Sequence, residues 1–166
     1  MKPEVIMEKL SDLQVNYVAH DHPALFTVED VKACDVDMPG GHCKNMLLTN
    51  KKRSKYFLVI LEADKRMNFK EIGTLIGVSG LKFAKEETLN RFDTFAGSVS
   101  PFIVLEDSKD EVQVFMDTEL METKIINFHP NINTVTLGIQ TDQFIEFMKE
   151  ASHTITPIEY KPEVNV

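Results

Sequence analysis

Cysteine is scarce in this chain: among 166 residues there are two, Cys34 and Cys43. Two thiols do not make a disulfide framework, so a reducing cytoplasm is the expected setting. Long apolar runs are missing too, and none approaches the roughly 20 residues of a membrane span. The opening MKPEVIMEKL sets acids among its apolar residues and so lacks a signal-peptide core. Repeats, linkers and low-complexity segments are absent. Positive charge is in deficit, with 18 Lys and Arg against 26 Asp and Glu and a net charge of -8. That balance argues against general nucleic-acid binding and against DNA as a partner.

Apolar material is abundant, at 43% of residues with eleven phenylalanines. A chain of this length suits one domain, residues 1–166, that buries roughly 70% of its unfolded surface. The charge is unevenly spread. From Lys44 to Lys55 the sequence KNMLLTNKKRSK holds five basic residues and no acid. A local basic face on an acidic protein fits a limited phosphate contact, with Lys51, Lys52 and Arg53 as candidates. Charge alone equally describes a solvated hairpin turn.

Helical spacing of Val5, Ile6, Leu10 and Leu13 predicts a helix over 3–13, followed by a short strand at NYVAH. Thr27 with Asp30 reads as a capping box that opens a helix to about Cys34. MPGGH, Met38 to His42, reads as a loop. KNMLLTN and KYFLVILEA predict two strands joined by the basic turn. Asn68 caps a helix that Gly77 ends. LKFA reads as a strand, KEETLNRF as a helix, and FIVLED, EVQVFMD and NTVTLGIQ as strands. A last helix is expected over 142–151, and then an irregular tail, TPIEYKPEVNV. This order gives an α+β fold with a mixed sheet.

Candidate chemistry is weak residue by residue. FAGSVSPF offers Ser98 and Ser100, but a serine-hydrolase elbow needs G-x-S-x-G between strand and helix, and the second glycine is missing. No G-K-[ST] follows, which excludes a Walker loop. What remains is a loop whose N–H groups at Gly97, Ser98, Val99 and Ser100 could converge on an anion, Pro101 having none to give. His20, His22, Cys34, His42 and Cys43 show neither C-x-x-C nor H-E-x-x-H spacing, so no metal or cofactor is expected. A Cys43–histidine thiol site lacks local context. In FHPNINT, Asn131 and Asn133 suit a turn, and Lys44 alone suits a solvated amine.

In combination, PGGHCKNMLLTNKK, YFLVILEADKRMNFKEIG, LKFAKEETL, GSVSPF, VFMDTEL and FHPNINTVT strongly resemble the YbaK-like prolyl-tRNA editing family. The likeness runs from about residue 20 to 151, leaving 152–166 as a tail. It implies a central mixed, partly barrel-like sheet flanked by helices. HPNxNT resembles the free-standing branch that deacylates alanyl-tRNA for proline. The resemblance therefore implies a trans-editing hydrolase that cleaves mischarged Ala-tRNA(Pro), with tRNA as partner and an association with prolyl-tRNA synthetase left open. It assigns Lys44 to the terminal phosphate or sugar, the 97–101 amides to the ester carbonyl or a water, and Asn45 and His129 to the pocket. The alternatives are a Cys-tRNA(Pro) deacylase, a non-catalytic tRNA- or synthetase-binding adaptor, and a serine hydrolase acting through Ser98 or Ser100. His129 as general base is a weaker option than a substrate ribose hydroxyl or a positioned water.

Overall fold

The computed structural model describes residues 1–34 and 37–162, and only the backbone of Val28. In chain order the elements are α1 (Pro3–Asp12), β1 (Tyr17–Asp21), α2 (Val28–Ala33), β2 (Gly41–Thr49), β3 (Tyr56–Glu62), α3 (Phe69–Ile76), β4 (Lys82–Phe83) and α4 (Glu86–Arg91). A 3₁₀ turn (Pro101–Glu106) follows, then β5 (Val112–Asp117), α5 (Thr118–Met121), β6 (Ile125–Phe128), β7 (Val135–Gln140), α6 (Thr141–Glu150) and β8 (Ile155–Ile158). The strands form one mixed sheet in the order β1-β7-β6-β2-β3-β5-β8, with β4 added to β2. Its path is open, ending at β1 and β8, so the barrel-like part of the expectation is corrected to an open sheet.

Strand alternation sorts the core into two layers. Leu47, Leu58, Ile60, Val114 and Met116 face a large cluster that takes in Ile6, Leu10, Leu89, Phe102, Phe144 and Phe147 from the helices and the 3₁₀ turn. Met46, Leu48, Phe57, Val59, Leu61 and Phe115 face a smaller one closed by Ile72 of α3 and by Tyr160. Because β3 is covered on both faces, it reads as the unbroken apolar run YFLVIL.

Local signals set the boundaries. The Thr27 hydroxyl accepts the Asp30 N–H while the Asp30 carboxylate accepts the Thr27 N–H, the reciprocal cap that starts α2. Asn68 Oδ1 accepts from Lys70 and Glu71 at the start of α3, and Gly77 ends that helix at φ 72°.

Three expectations are corrected. FIVLED is a 3₁₀ turn and not a strand: Pro101 supplies a helical φ at its start and the Ser100 hydroxyl accepts the Phe102 N–H. Phe102, Ile103 and Val104 are all buried, a continuous apolar run that does not distinguish strand from buried turn. The tail is not irregular at its start, since Ile155–Ile158 pairs in parallel with β5. Pro157 is tolerated there because β8 is an edge strand. Residues 163–166 of that tail lie outside the described residues. Finally, Gly41 and His42 belong to β2 rather than to a loop, because each pairs with β6. The preceding Gly40, at φ 106°, approaches Ile125 so closely that an added Cβ would lie 2.5 Å from its carbonyl oxygen.

Candidate functional site

Strand β2 changes neighbours along one edge. Gly41 and His42 pair with β6, Leu48 and Thr49 pair with β4, and among the described residues those between have no strand on that side. The Leu47 carbonyl accepts the Ala84 N–H across this edge. Two-residue alternation therefore turns the main chain of Asn45 towards the same opening. A cavity of about 580 Å³ occupies the gap, within the roughly 300–1,000 Å³ typical of small-ligand sites.

Lys44, Asn45, Gly97, Val99 and His129 all line this cavity, although they come from β2, the loop before the 3₁₀ turn and the turn after β6. The Lys44 amine donates to the Lys65 carbonyl. Burial lowers its pKa, opposed by the charges of Glu62 and Asp64. The carbonyl it rests on is held in turn: Lys65 Nζ pairs with buried Asp117 at 2.8 Å and donates to the Tyr160 carbonyl at 2.6 Å. Burial alone would lower the Lys65 pKa, but the hydrogen bonds and charges of Asp117 and Glu119 raise it. Asp64 is occupied by Lys32 of α2 at 2.6 Å.

Three residues that line the cavity carry a buried polar atom without a hydrogen bond: Asn45 at Oδ1, Asn127 at Oδ1 and His129 at Nδ1. An unpartnered buried acceptor or donor costs about 1–3 kcal/mol, which a ligand would recover. Desolvation, helped by the charge of His22, lowers the His129 pKa to about 4. Its imidazole is therefore neutral at pH 7. Burial pushes the Cys43 thiol well up from its ordinary value, with Glu62 adding to the effect. Its Sγ–H donates to the Asn127 carbonyl at 3.2 Å. A thiol so held is a poor nucleophile.

The remaining predicted positions fall elsewhere. Ser98 and Ser100 are fully buried and neither lines the cavity. The Ser98 N–H donates to the Phe95 carbonyl at 3.0 Å and is thereby taken, while Gly97 and Val99 on either side of it line the cavity. Gly97 stands at φ 89° with open space where a Cβ would go, so the backbone and not crowding asks for glycine. The Ser100 hydroxyl donates to Asn131 Oδ1 at 2.6 Å, joining the glycine loop to the turn that bears His129. Pro101 is buried at the head of the 3₁₀ turn. Lys51, Lys52 and Arg53 sit exposed on the β2–β3 turn, outside the cavity.

Other lining residues were not singled out from the sequence as pocket residues. His22 Nδ1 faces the Pro23 carbonyl at 2.8 Å and Nε2 lies 2.8 Å from the Thr136 hydroxyl. With Nδ1 donating to that carbonyl, Nε2 accepts from Thr136. Asn127 Nδ2 donates to the carbonyls of Pro39 and Gly41 and so ties residues 39–41 to β6. Phe26, Met38 and Phe83 supply apolar wall. The HxH spacing of His20 and His22 was visible, but the role of His22 depends on β7, which is more than a hundred residues away.

Residues 22–147 match the model of the aminoacyl-tRNA editing domain. The chain is 29% identical over 157 residues to the prolyl-tRNA editing protein ProX of Acetoanaerobium sticklandii, covering 94% of this chain and 96% of that protein. It is 29% identical over 151 residues to the mouse prolyl-tRNA synthetase associated domain-containing protein 1, covering 88% and 89%. A crystal structure of a candidate trans-editing enzyme for prolyl tRNA synthetase superposes with TM-score 0.68 over 96% of this chain and 97% of that one. At 13% identity, that likeness speaks to the fold alone.

Proposed function

The chain belongs to the aminoacyl-tRNA editing domain family, and on that premise we propose that it is a trans-acting deacylase for alanine mischarged on proline tRNA. The observation that carries this reading is the meeting, in one cavity, of the Lys44 ammonium, the unpartnered Asn45 carbonyl, the Gly97–Val99 loop and a neutral His129.

In the proposed reaction Lys44 holds a phosphate or sugar oxygen of the terminal nucleotide by a charge-assisted hydrogen bond. Asn45 Oδ1 accepts from the α-amino group of the aminoacyl ester. A water oxygen attacks the ester carbonyl carbon, and the amides of Gly97 and Val99 receive the charge that develops on the carbonyl oxygen. The bond between that carbon and the ribose oxygen then breaks, the ribose oxygen takes a proton, and alanine and tRNA leave. His129 orients the water or the amine. As a base with a pKa of about 4 it has little driving force at pH 7. The neighbouring ribose hydroxyl acts instead as a relay, taking the proton that the attacking water loses while passing its own to the departing ribose oxygen. The selectivity logic is that of a second sieve: one or two methylenes are worth about 1–3 kcal/mol, so a proline-activating site admits alanine and a smaller pocket must remove it.

Single-turnover release of alanine from Ala-tRNA(Pro) by wild type and Lys44→Ala tests the assignment. Loss of a charge-assisted contact worth about 1.5–3 kcal/mol predicts a fall of about 10- to 100-fold. Undiminished hydrolysis would remove Lys44 from the mechanism.

A further inference from the structure

Three exposed phenylalanines stand at or beside the cavity: Phe26 at 70%, Phe83 at 56% and Phe95 at 52% exposure. Their electrostatic surroundings differ. Asp30 accepts the Phe26 N–H, and Glu29 precedes it in the same helix. Asp93 lies two residues before Phe95. Phe83 sits in KFAK, between Lys82 and Lys85, and the whole stretch 78–85 has no acid.

Phe83 is also joined physically to the basic turn. Lys82 pairs with Thr49 in the β2–β4 ladder, and its Nζ donates to the Lys51 carbonyl at 3.2 Å. An added Cβ on Gly80 would meet Lys51 Cβ at 3.0 Å. Segments 50–56 and 78–85 therefore make one continuous surface with six basic residues, Lys51, Lys52, Arg53, Lys55, Lys82 and Lys85, and no acid. Acids resume only at Glu86, the first residue of α4. On a protein of net charge -8 this strip is a distinct positive path. It begins at the cavity wall, because Phe83 and Ala84 line the cavity. The Phe83 ring is set by a T-shaped contact with Phe69 of α3, centroids 5.2 Å apart at 79°, yet stays more than half exposed.

We infer that Phe83 is a stacking platform for a base of the single-stranded RNA 3′ end, whose backbone runs from the cavity along this strip to Lys51–Arg53. The inference rests on the proposed editing function, since it supposes that the terminal nucleotide occupies the cavity. An aromatic ring beside a row of cations is the combination that binds single strands without reading sequence: the ring takes a base face and the cations take phosphates.

The test measures binding of a short labelled single-stranded RNA ending in CCA, by fluorescence anisotropy, to the full chain and its variants. Phe83→Ala is expected to weaken binding about tenfold, Phe83→Leu nearly as much, and Phe83→Trp to stay within twofold of wild type. Replacing Lys51, Lys52 and Arg53 together by Gln should reduce the steepness of log Kd against log salt by about 2. Thermal melting of the triple variant should match wild type because its side chains are exposed, and Phe83→Ala should melt cooperatively with only the small loss expected from its contact with Phe69. A Kd within twofold of wild type for Phe83→Ala, or an unchanged salt slope for the triple variant, overturns the path. Hydrolysis of Ala-tRNA(Pro) is followed in the same wild-type preparation. Phe83-dependent RNA binding without hydrolysis supports the path and sinks the deacylase reading, while hydrolysis with Phe83-independent binding does the reverse.

Discussion

His129 shows what burial does to one side chain. Its Nδ1 is enclosed without a partner, and desolvation together with His22 brings its pKa to about 4. The unfolded chain carries an ordinary histidine near 6.5, so between about pH 6.5 and 4 the unfolded state binds the extra proton. Stability should therefore fall as pH falls through that window, by up to about 3 kcal/mol at its lower end. Urea denaturation of wild type and His129→Gln between pH 7 and 4.5 checks this. The wild type should lose more stability than the variant on acidification, and parallel losses would deny the depressed pKa. The same shift predicts a deacylation rate with no inflection near pH 6.5 from this residue.

At the scale of elements, the site depends on two loops tied together. Ser100 Oγ bonds both to the Phe102 N–H and to Asn131 Oδ1, and Asn131 Nδ2 reaches the Met1 carbonyl. Through this contact the loop bearing Gly97 and Val99 is registered against the turn bearing His129. Removing either partner leaves a buried polar group unsatisfied, at a cost of about 1–3 kcal/mol. In a double-mutant cycle, Ser100→Ala and Asn131→Ala should be non-additive by at least about 0.5 kcal/mol, in stability and in turnover alike. The cycle cancels the separate cost of alanine at the left-handed φ of 57° held by Asn131. Strict additivity would mean that the two loops are positioned independently. The sequence made the hairpin β2–β3, the caps at Thr27 and Asn68 and the stop at Gly77 legible, because each is written in adjacent residues. It did not reveal β6, β8 or the 3₁₀ turn. β8 exists because β5 offers a free edge, and the 3₁₀ turn because a proline and a serine cap act on a run that is apolar throughout.

Across the whole molecule, the cavity exists because β2 exchanges β6 for β4 along one edge, a property of topology that no local pattern encodes. The KN pair, the GSVSP loop and the HPNINT turn were recognisable as motifs, but their meeting required the sheet to bring residues 44, 97 and 129 together. The place of His22, Thr136, Asn127 and Phe83 in the pocket was not legible for the same reason: each matters only through a neighbour far away in sequence. The proposed path for an RNA end is compatible with an acidic chain on this scale, since a short contact needs a local field and not a basic protein. The central claim is that the cavity removes alanine from proline tRNA, and a deacylation panel on one tRNA tests it most directly. Initial rates with Ala-, Ser-, Cys- and Pro-charged proline tRNA should show hydrolysis fastest for alanine and at least about tenfold slower for proline. Hydrolysis of the cysteinyl ester in preference to alanyl, equal hydrolysis of the prolyl ester, or no hydrolysis of any of the four would contradict it.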